Sequence, residues 1–207
     1  MTVNMKCTDL YTCTTADMHR AAVSCADGFQ DDPMWEAVLG DEPKEKLVPC
    51  MEIALRHCRK YGTVYGSDDS LAGILAIGPG RYADMTMWRM LLAGSFPVLS
   101  QLGSTLGRKM GRVFDPLMKD QKMHMKGRDY IYIYLLSVKK ELQGKGIGGT
   151  LLRSCIEESR KHRLPLYLET ETQQNVAMYE HFGFTVVKKT ALPLVHHPMW
   201  EMVREVE

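Results

Sequence analysis

The chain has 207 residues, 45% hydrophobic and 25% charged, which suits one compact domain with a sizeable core and excludes a disordered chain. Lys and Arg number 26 against 25 Asp and Glu, and the net charge of +1 gives no overall field that would recruit nucleic acid or an anionic membrane. Six cysteines at 7, 13, 25, 50, 58 and 155 show neither metal spacing nor a disulfide framework, and no secretory signal or membrane span is visible, so a reduced, cytoplasmic protein is expected.

From the N-terminus, a short strand is predicted around Lys6–Thr12. Thr14 or Thr15 can cap a helix whose apolar positions Met18, Ala21, Ala22, Cys25 and Phe29 recur at helical spacing, with Asp31-Asp32-Pro33 ending it. A short helix follows around Met34–Leu39. Lys44–Tyr61 reads as a longer one, with Leu47, Met51, Ala54, Leu55 and Cys58 inward and Gly62 as its stop. Thr63–Gly66 and Leu71–Ile77 form a hairpin across Ser67-Asp-Asp-Ser70, and Gly78-Pro79-Gly80 breaks the second strand.

Residues 81–128 make an insertion too apolar for a disordered loop, predicted as two helices. Met85, Trp88, Leu91 and Leu92 form one apolar face; Val98, Leu102, Leu106, Met110, Val113, Phe114 and Leu117 form another. Burial of both stripes in the core is the expectation, a roof over an acceptor pocket being the other reading. Tyr130–Val138 then forms a central strand, Gly148–His162 a helix, Pro165–Thr170 a strand and Val176–Phe182 a short helix. Two antiparallel strands close the chain around Phe184–Lys189 and Met199–Val206. Helices on a mixed sheet define an α/β fold in a single domain.

The most informative stretch is Leu136 to Thr150, where an apolar strand passes through a glycine-crowded turn straight into a helix. Glycines at 144, 146, 148 and 149 remove Cβ atoms, so backbone N–H groups can converge on phosphate oxygens at the positive end of the helix dipole, with Lys145 adding charge. Gly144-Lys145 is followed by Gly146 rather than Ser or Thr, which rules out a Walker loop. Gly144-Lys-Gly146-Ile-Gly-Gly149 satisfies the dinucleotide spacing, but the acidic residue that should end a second parallel strand is missing.

Gln143-Gly-Lys-Gly146-Ile-Gly148 resembles the Gln/Arg-x-x-Gly-x-Gly/Ala signature of the GNAT superfamily of N-acetyltransferases, and Tyr130–Val138 resembles its fourth strand. Leu168-Glu-Thr-Glu-Thr-Gln-Gln-Asn-Val-Ala-Met-Tyr-Glu-His-Phe-Gly-Phe184 is similar to the strand, helix and Gly-Phe turn that close the family's acetyl-CoA site. The Leu-Glu-Thr, Asn-x-x-x-Tyr-Glu and Gly-Phe run and the ending Trp200-Glu-Met202 are most similar to the puromycin-type branch. The resemblance covers about the last eighty residues. It implies a mostly antiparallel sheet flanked by helices, and an acetyl-CoA-dependent enzyme acting on a small-molecule amine. A coenzyme-binding regulatory module and a protein or peptide N-acetyltransferase are the alternatives. Neither a metal nor a fixed oligomeric state is implied.

By the same resemblance, backbone groups of Leu136, Ser137 and Val138 pair with the pantetheine arm, Val138 N–H facing the developing oxyanion. Gln143, Gly144, Lys145, Gly146, Ile147, Gly148 and Gly149 hold the pyrophosphate. The Tyr179 phenol protonates or hydrogen-bonds the coenzyme sulfur, or packs beneath the Gly-Phe turn. Asn175 holds a pantetheine amide or caps a helix beginning at Val176. Glu169 and Glu171 alternate with Leu168 and Thr170 and so project to one side of a strand, with Glu169 the better general base or else a structural carboxylate. Cys155 reads as a packing residue, so transfer is direct, and His196-His197 as surface loop residues.

Overall fold

The structure, a computed structural model, describes residues 6–195 and 198–206; His196 and His197 lie outside the described residues. Its strands are β1 (Tyr11–Thr12), β2 (Thr63–Gly66), β3 (Gly73–Pro79), β4 (Ile131–Val138), β5 (Leu166–Thr170), β6 (Thr185–Ala191) and β7 (Pro198–Arg204). They form one seven-stranded sheet in the order β1-β2-β3-β4-β5-β7-β6. Every neighbouring pair is antiparallel except β4 and β5. Its helices are α1 (Met18–Gly28), α2 (Pro33–Leu39), α3 (Leu47–Tyr61), α4 (Met87–Leu92), α5 (Phe96–His124), α6 (Ile147–His162) and α7 (Gln173–His181). The expected α/β class with a mostly antiparallel sheet is what forms.

Each face of the sheet has its own core. α1, α3 and α5 cover one through Met18, Cys25, Met51, Leu55, Cys58 and Leu106. α6 and α7 cover the other through Leu151, Leu152, Cys155, Ile156, Val176 and Tyr179. Burying each such aliphatic side chain fully contributes about 1.5–3 kcal/mol. All six cysteines are buried free thiols, and burial pushes Cys155 well above the ordinary thiol range, which suits packing and not acyl transfer.

Several local expectations change. The first strand contracts to Tyr11–Thr12 because Cys7 to Leu10 closes a turn, with Leu10 N–H donating to Cys7 O at 3.2 Å. Thr14 caps by donating its N–H and hydroxyl to the Asp17 carboxylate at 2.8 and 2.7 Å, which holds Asp17 well below the usual range. Asp32 does more than end α1: its carboxylate accepts Trp35 N–H at 3.0 Å and so starts α2. The two inserted stripes part company. α5 packs its stripe into the core, broken once at Gly103 with φ of 77°, and Leu106 is fully buried. α4, with only six residues, leaves Trp88 69% and Leu92 53% exposed.

Candidate active site

Strands β4 and β5 touch only at their starts, where Ile131 pairs Leu166 and Tyr132 pairs Tyr167. Beyond that they diverge, so Ile133–Val138 keeps β3 on one edge and has no strand on the other. The register between β3 and β4 shifts at Ala76/Ile77, leaving Tyr134 as a bulge. Ile131 N–H donates to Pro165 O, so before the bulge the odd residues turn their backbone to β5. Past it Lys139 N–H donates to Ala72 O, so the odd residues now face β3. The backbones of Leu136 and Val138 therefore turn to the open edge, while that of Ser137 turns to β3 and its buried hydroxyl donates to Cys25 O at 3.4 Å.

The turn after β4 ends at this opening. Gly144 and Gly146 have φ of 75° and 85°, a region that glycine alone enters without strain, and a Cβ at either would meet nothing within 4 Å. Gly146 is the N-cap of α6 and no side chain caps the helix, so the amides of Ile147, Gly148 and Gly149 face outward from its positive end. The bend is thus an open cradle that fits a pyrophosphate, with Lys145 exposed beside it. The four glycines differ in what they do. A Cβ at Gly149 would lie 3.4 Å from the Phe182 ring, and one at Gly148 would lie 3.6 Å from Val138, so these two serve helix packing as well. Gln143 is a brace across the base of the loop: its Nε2 donates to Gly28 O at 3.2 Å and Val138 O at 3.1 Å.

On the α6 side of β5 stands Tyr179, buried with Leu168, Cys155 and Val176. Its ring meets Phe184 edge-on at 5.5 Å, and its carbonyl accepts the N–H groups of Phe182 and Phe184 at 3.0 Å, so the Gly-Phe turn is built on this residue. Burial raises the phenol above its ordinary value. α7 begins at Gln173 and is capped by Thr172, whose hydroxyl accepts Asn175 N–H at 3.1 Å. That corrects the reading of Asn175 as a cap: it sits inside the first turn, half-buried, with its side chain available to another role. Glu171 likewise falls beyond the end of β5 and does not share the strand face of Glu169.

Glu169 leaves β5 on the opposite side from Tyr179. Its Oε2 accepts the Tyr132 hydroxyl at 2.8 Å, and its Oε1 is enclosed with no partner among the described residues. Burial pushes the carboxyl up to about 8, with the nearby charge of Glu201 adding to the rise and the Tyr132 bond opposing it. Around it lies a set of side chains that motif reading passed over. Tyr167 donates to Glu201 Oε2 at 2.7 Å, His124 Nδ1 lies 2.8 Å from the same atom, and Tyr134 donates to Tyr82 O at 2.8 Å. His57, fully buried, meets Tyr82 O at 2.8 Å, and its Nδ1 has no hydrogen-bond partner among the described residues. The signal for the phenols was present in the alternation Tyr130-Ile-Tyr-Ile-Tyr134, which sends three of them to one face; that Glu201 joins them is set by the β5–β7 register, Glu201 standing opposite Glu169. Among the described residues no His, Cys, Asp and Glu group could hold a metal, and no helix is long and apolar enough to cross a membrane.

Residues 78–184 match the acetyltransferase (GNAT) family, a span running from the end of β3 to the Gly-Phe turn. An uncharacterized N-acetyltransferase of Schizosaccharomyces pombe is 27% identical over 201 residues, covering 92% of this chain and 81% of that protein. The fold is shared with the histone acetyltransferase HPA2 and related acetyltransferase of Corynebacterium glutamicum, at a TM-score of 0.64 and 15% identity over 96% of both chains. It is also shared with an N-acetyltransferase of Staphylococcus aureus, at a TM-score of 0.62 and 17% identity, covering 94% of this chain and 98% of that one. With the split sheet and the uncapped α6 on the same side as the family match, the chain belongs to the acetyltransferase (GNAT) family and is an acetyl-CoA-dependent acyltransferase.

Proposed function

We propose that this enzyme moves an acetyl group from acetyl-CoA directly to the primary amine of a small molecule, within one cytosolic domain spanning the chain. The observation that carries the reading is the divergence of β4 from β5, which leaves the Leu136 and Val138 backbone turned to an open edge that leads to the uncapped start of α6. Acetyl-CoA supplies a thioester, whose carbonyl carbon accepts an amine and whose sulfur leaves as a thiol.

The protein's part divides by position. Gly144 to Gly149, with Lys145, hold the pyrophosphate through backbone amides, and Leu136 and Val138 hold the extended arm as an added strand would. Tyr179 donates a hydrogen bond toward the sulfur. An ordinary phenol, with pKa about 10, already lies above a thiol at about 8.5, and burial widens that gap, so the phenol stabilises the leaving sulfur without needing to lose its proton first. Glu169, on the other side of β5, takes a proton from the amine nitrogen as it attacks the thioester carbon. Asn175 is placed to meet an amide of the arm.

Two features support a small acceptor. Glu169 is half-buried with its Oε1 enclosed, so the acceptor must be slim enough to bring its nitrogen into this recess. α5 closes this side by reaching β7 and β6 through His124 to Glu201 at 2.8 Å and Asp120 to Lys188 at 2.6 Å. The Leu-Glu-Thr and Trp200-Glu-Met202 runs support a place beside the puromycin-type branch, and six free buried cysteines support a reducing compartment. The test is thiol release from acetyl-CoA against a panel of small amines and of peptides. Release with small amines is expected; release with peptides alone would overturn the acceptor class, and none with either would overturn the activity.

A further inference from the structure

The face of the sheet beneath α5 holds more carboxyl chemistry than one base needs. Glu169 and Glu201 are Cα partners across the antiparallel β5–β7 pair, so both side chains leave the same face side by side. Neither reaches water freely: Glu201 is fully buried and Glu169 Oε1 is enclosed. Like charges directly opposite one another in a sheet are destabilising, and two buried carboxylates do not both ionise without compensation.

The compensation is unequal. Glu201 Oε2 accepts the Tyr167 hydroxyl at 2.7 Å and meets His124 Nδ1 at 2.8 Å, and the Thr190 hydroxyl lies 3.5 Å from Oε1. His124 is 28% exposed, so the side chain that pairs with Glu201 is itself in reach of solvent. Glu169 accepts one side-chain hydrogen bond among the described residues, from Tyr132. Among the described residues Glu201 thus has three side-chain polar partners and Glu169 one, and Glu169 is the carboxyl that burial and the facing Glu201 push up.

Resting on the base role given to Glu169 above, we propose that Glu201 is a positioning residue of the transfer: bound by Tyr167 and His124 directly across from Glu169, it sets the protonation state of the base and so the pH range of turnover. The other ionisable groups described on this face are phenols, carboxylates with counter-ions, and His57 of α3, which burial holds below the ordinary imidazole value while its contact with Tyr82 O opposes the shift; the Tyr134 phenol beside it is raised by burial. Tyr130 and Tyr132 come from β4 and Tyr167 from β5, and burial raises all three phenols. Asp120 of α5 pairs with Lys188 of β6, which stands opposite Glu201 in the β6–β7 register. Asp84, ahead of α4, pairs with Lys122 at 2.7 Å. The direction of the Glu169 shift, upward from burial with Glu201 adding to it, agrees with this division.

The experiment is a carboxyl-carbon NMR titration of the full chain labelled at glutamate, assigned with Glu169→Gln, beside kcat/KM profiles taken with an acceptor amine that stays neutral throughout. In the unmodified protein Glu169 is expected to titrate above neutrality. In Glu201→Gln its midpoint falls by about 1 unit or more, and the rising limb of kcat/KM moves down with it. A Glu169 midpoint near the ordinary value of about 4.3 in the unmodified protein overturns the proposal even if the variant fails to fold. So does a midpoint that Glu201→Gln leaves in place, or one that moves while the kinetic limb stays. Absence of turnover with every acceptor would instead strike the acetyl-transfer reading and the kinetic half of this proposal, while the titration separately decides the coupling.

Discussion

The two faces of β5 place adjacent residues in opposite chemical worlds. Leu168 looks into an apolar cluster with Tyr179, Cys155 and Phe184, whereas Glu169 looks into a lattice of phenols, a histidine and a second carboxylate. Burial acts the same way on both, favouring the uncharged form of Tyr179 and of Glu169. The consequences differ. An uncharged phenol is already the donor that a leaving sulfur needs, at any ordinary pH, but an uncharged carboxyl is no base until the medium approaches its midpoint of about 8.

The sharpest way to break this contrast is Tyr179→Phe, which keeps the ring against Phe184 and deletes the donor. A fall of about 10²–10³-fold in kcat is expected with the coenzyme KM largely kept, and near-normal turnover would remove the acid role. Glu169→Gln probes the other face, with a loss of about 10²-fold at alkaline pH and a flattened rising limb. The same substitution has a stability signature. The folded midpoint near 8 lies above the unfolded value of 4.5, so the folded state binds the proton more tightly and stability falls as pH rises between the two. Thermal melts across that interval should show the unmodified protein losing more stability than the Gln variant; parallel slopes would deny that the carboxyl is held protonated. The smallest effect is Thr172→Ala, which removes the cap of the helix carrying Tyr179 and should cost about 1 kcal/mol in chemical unfolding. A loss within error would mean that packing alone seats α7.

The same two faces explain how much could be read from the residues. The loop at 143–149 and the Gly-Phe turn were legible because positive φ and helix starts demand particular residue types in a row. Glu201 carried no such mark: its importance comes from a pairing with Glu169 that arises only when β7 inserts between β5 and β6, a long-range event invisible to local pattern. The cap alternative for Asn175 failed for a related reason, since Thr172 and Asn175 are both good caps and the backbone chose the earlier one. In the insertion, the α5 stripe continued for enough turns to find the core, while the stripe of α4 ended after six residues and stayed in solvent. A periodic pattern states which side of a helix is oily, and leaves open whether anything comes to cover it.

The bulge at Tyr134 has a consequence for any attempt to rebuild this enzyme. One surplus residue turns over the second half of β4, so Leu135 follows Tyr134 onto the α1 side and Leu136 faces α6. The bulge works as a phase dial: straightening the strand with no residue lost would rotate the amides of 136 and 138 into β3 and hand the rim of the opening to Ser137, whereas deleting Tyr134 itself would remove the surplus and leave those amides at the opening. Loss of the surplus residue is thus the forgiving operation, and a substitution that flattens the bulge at unchanged residue count the unforgiving one.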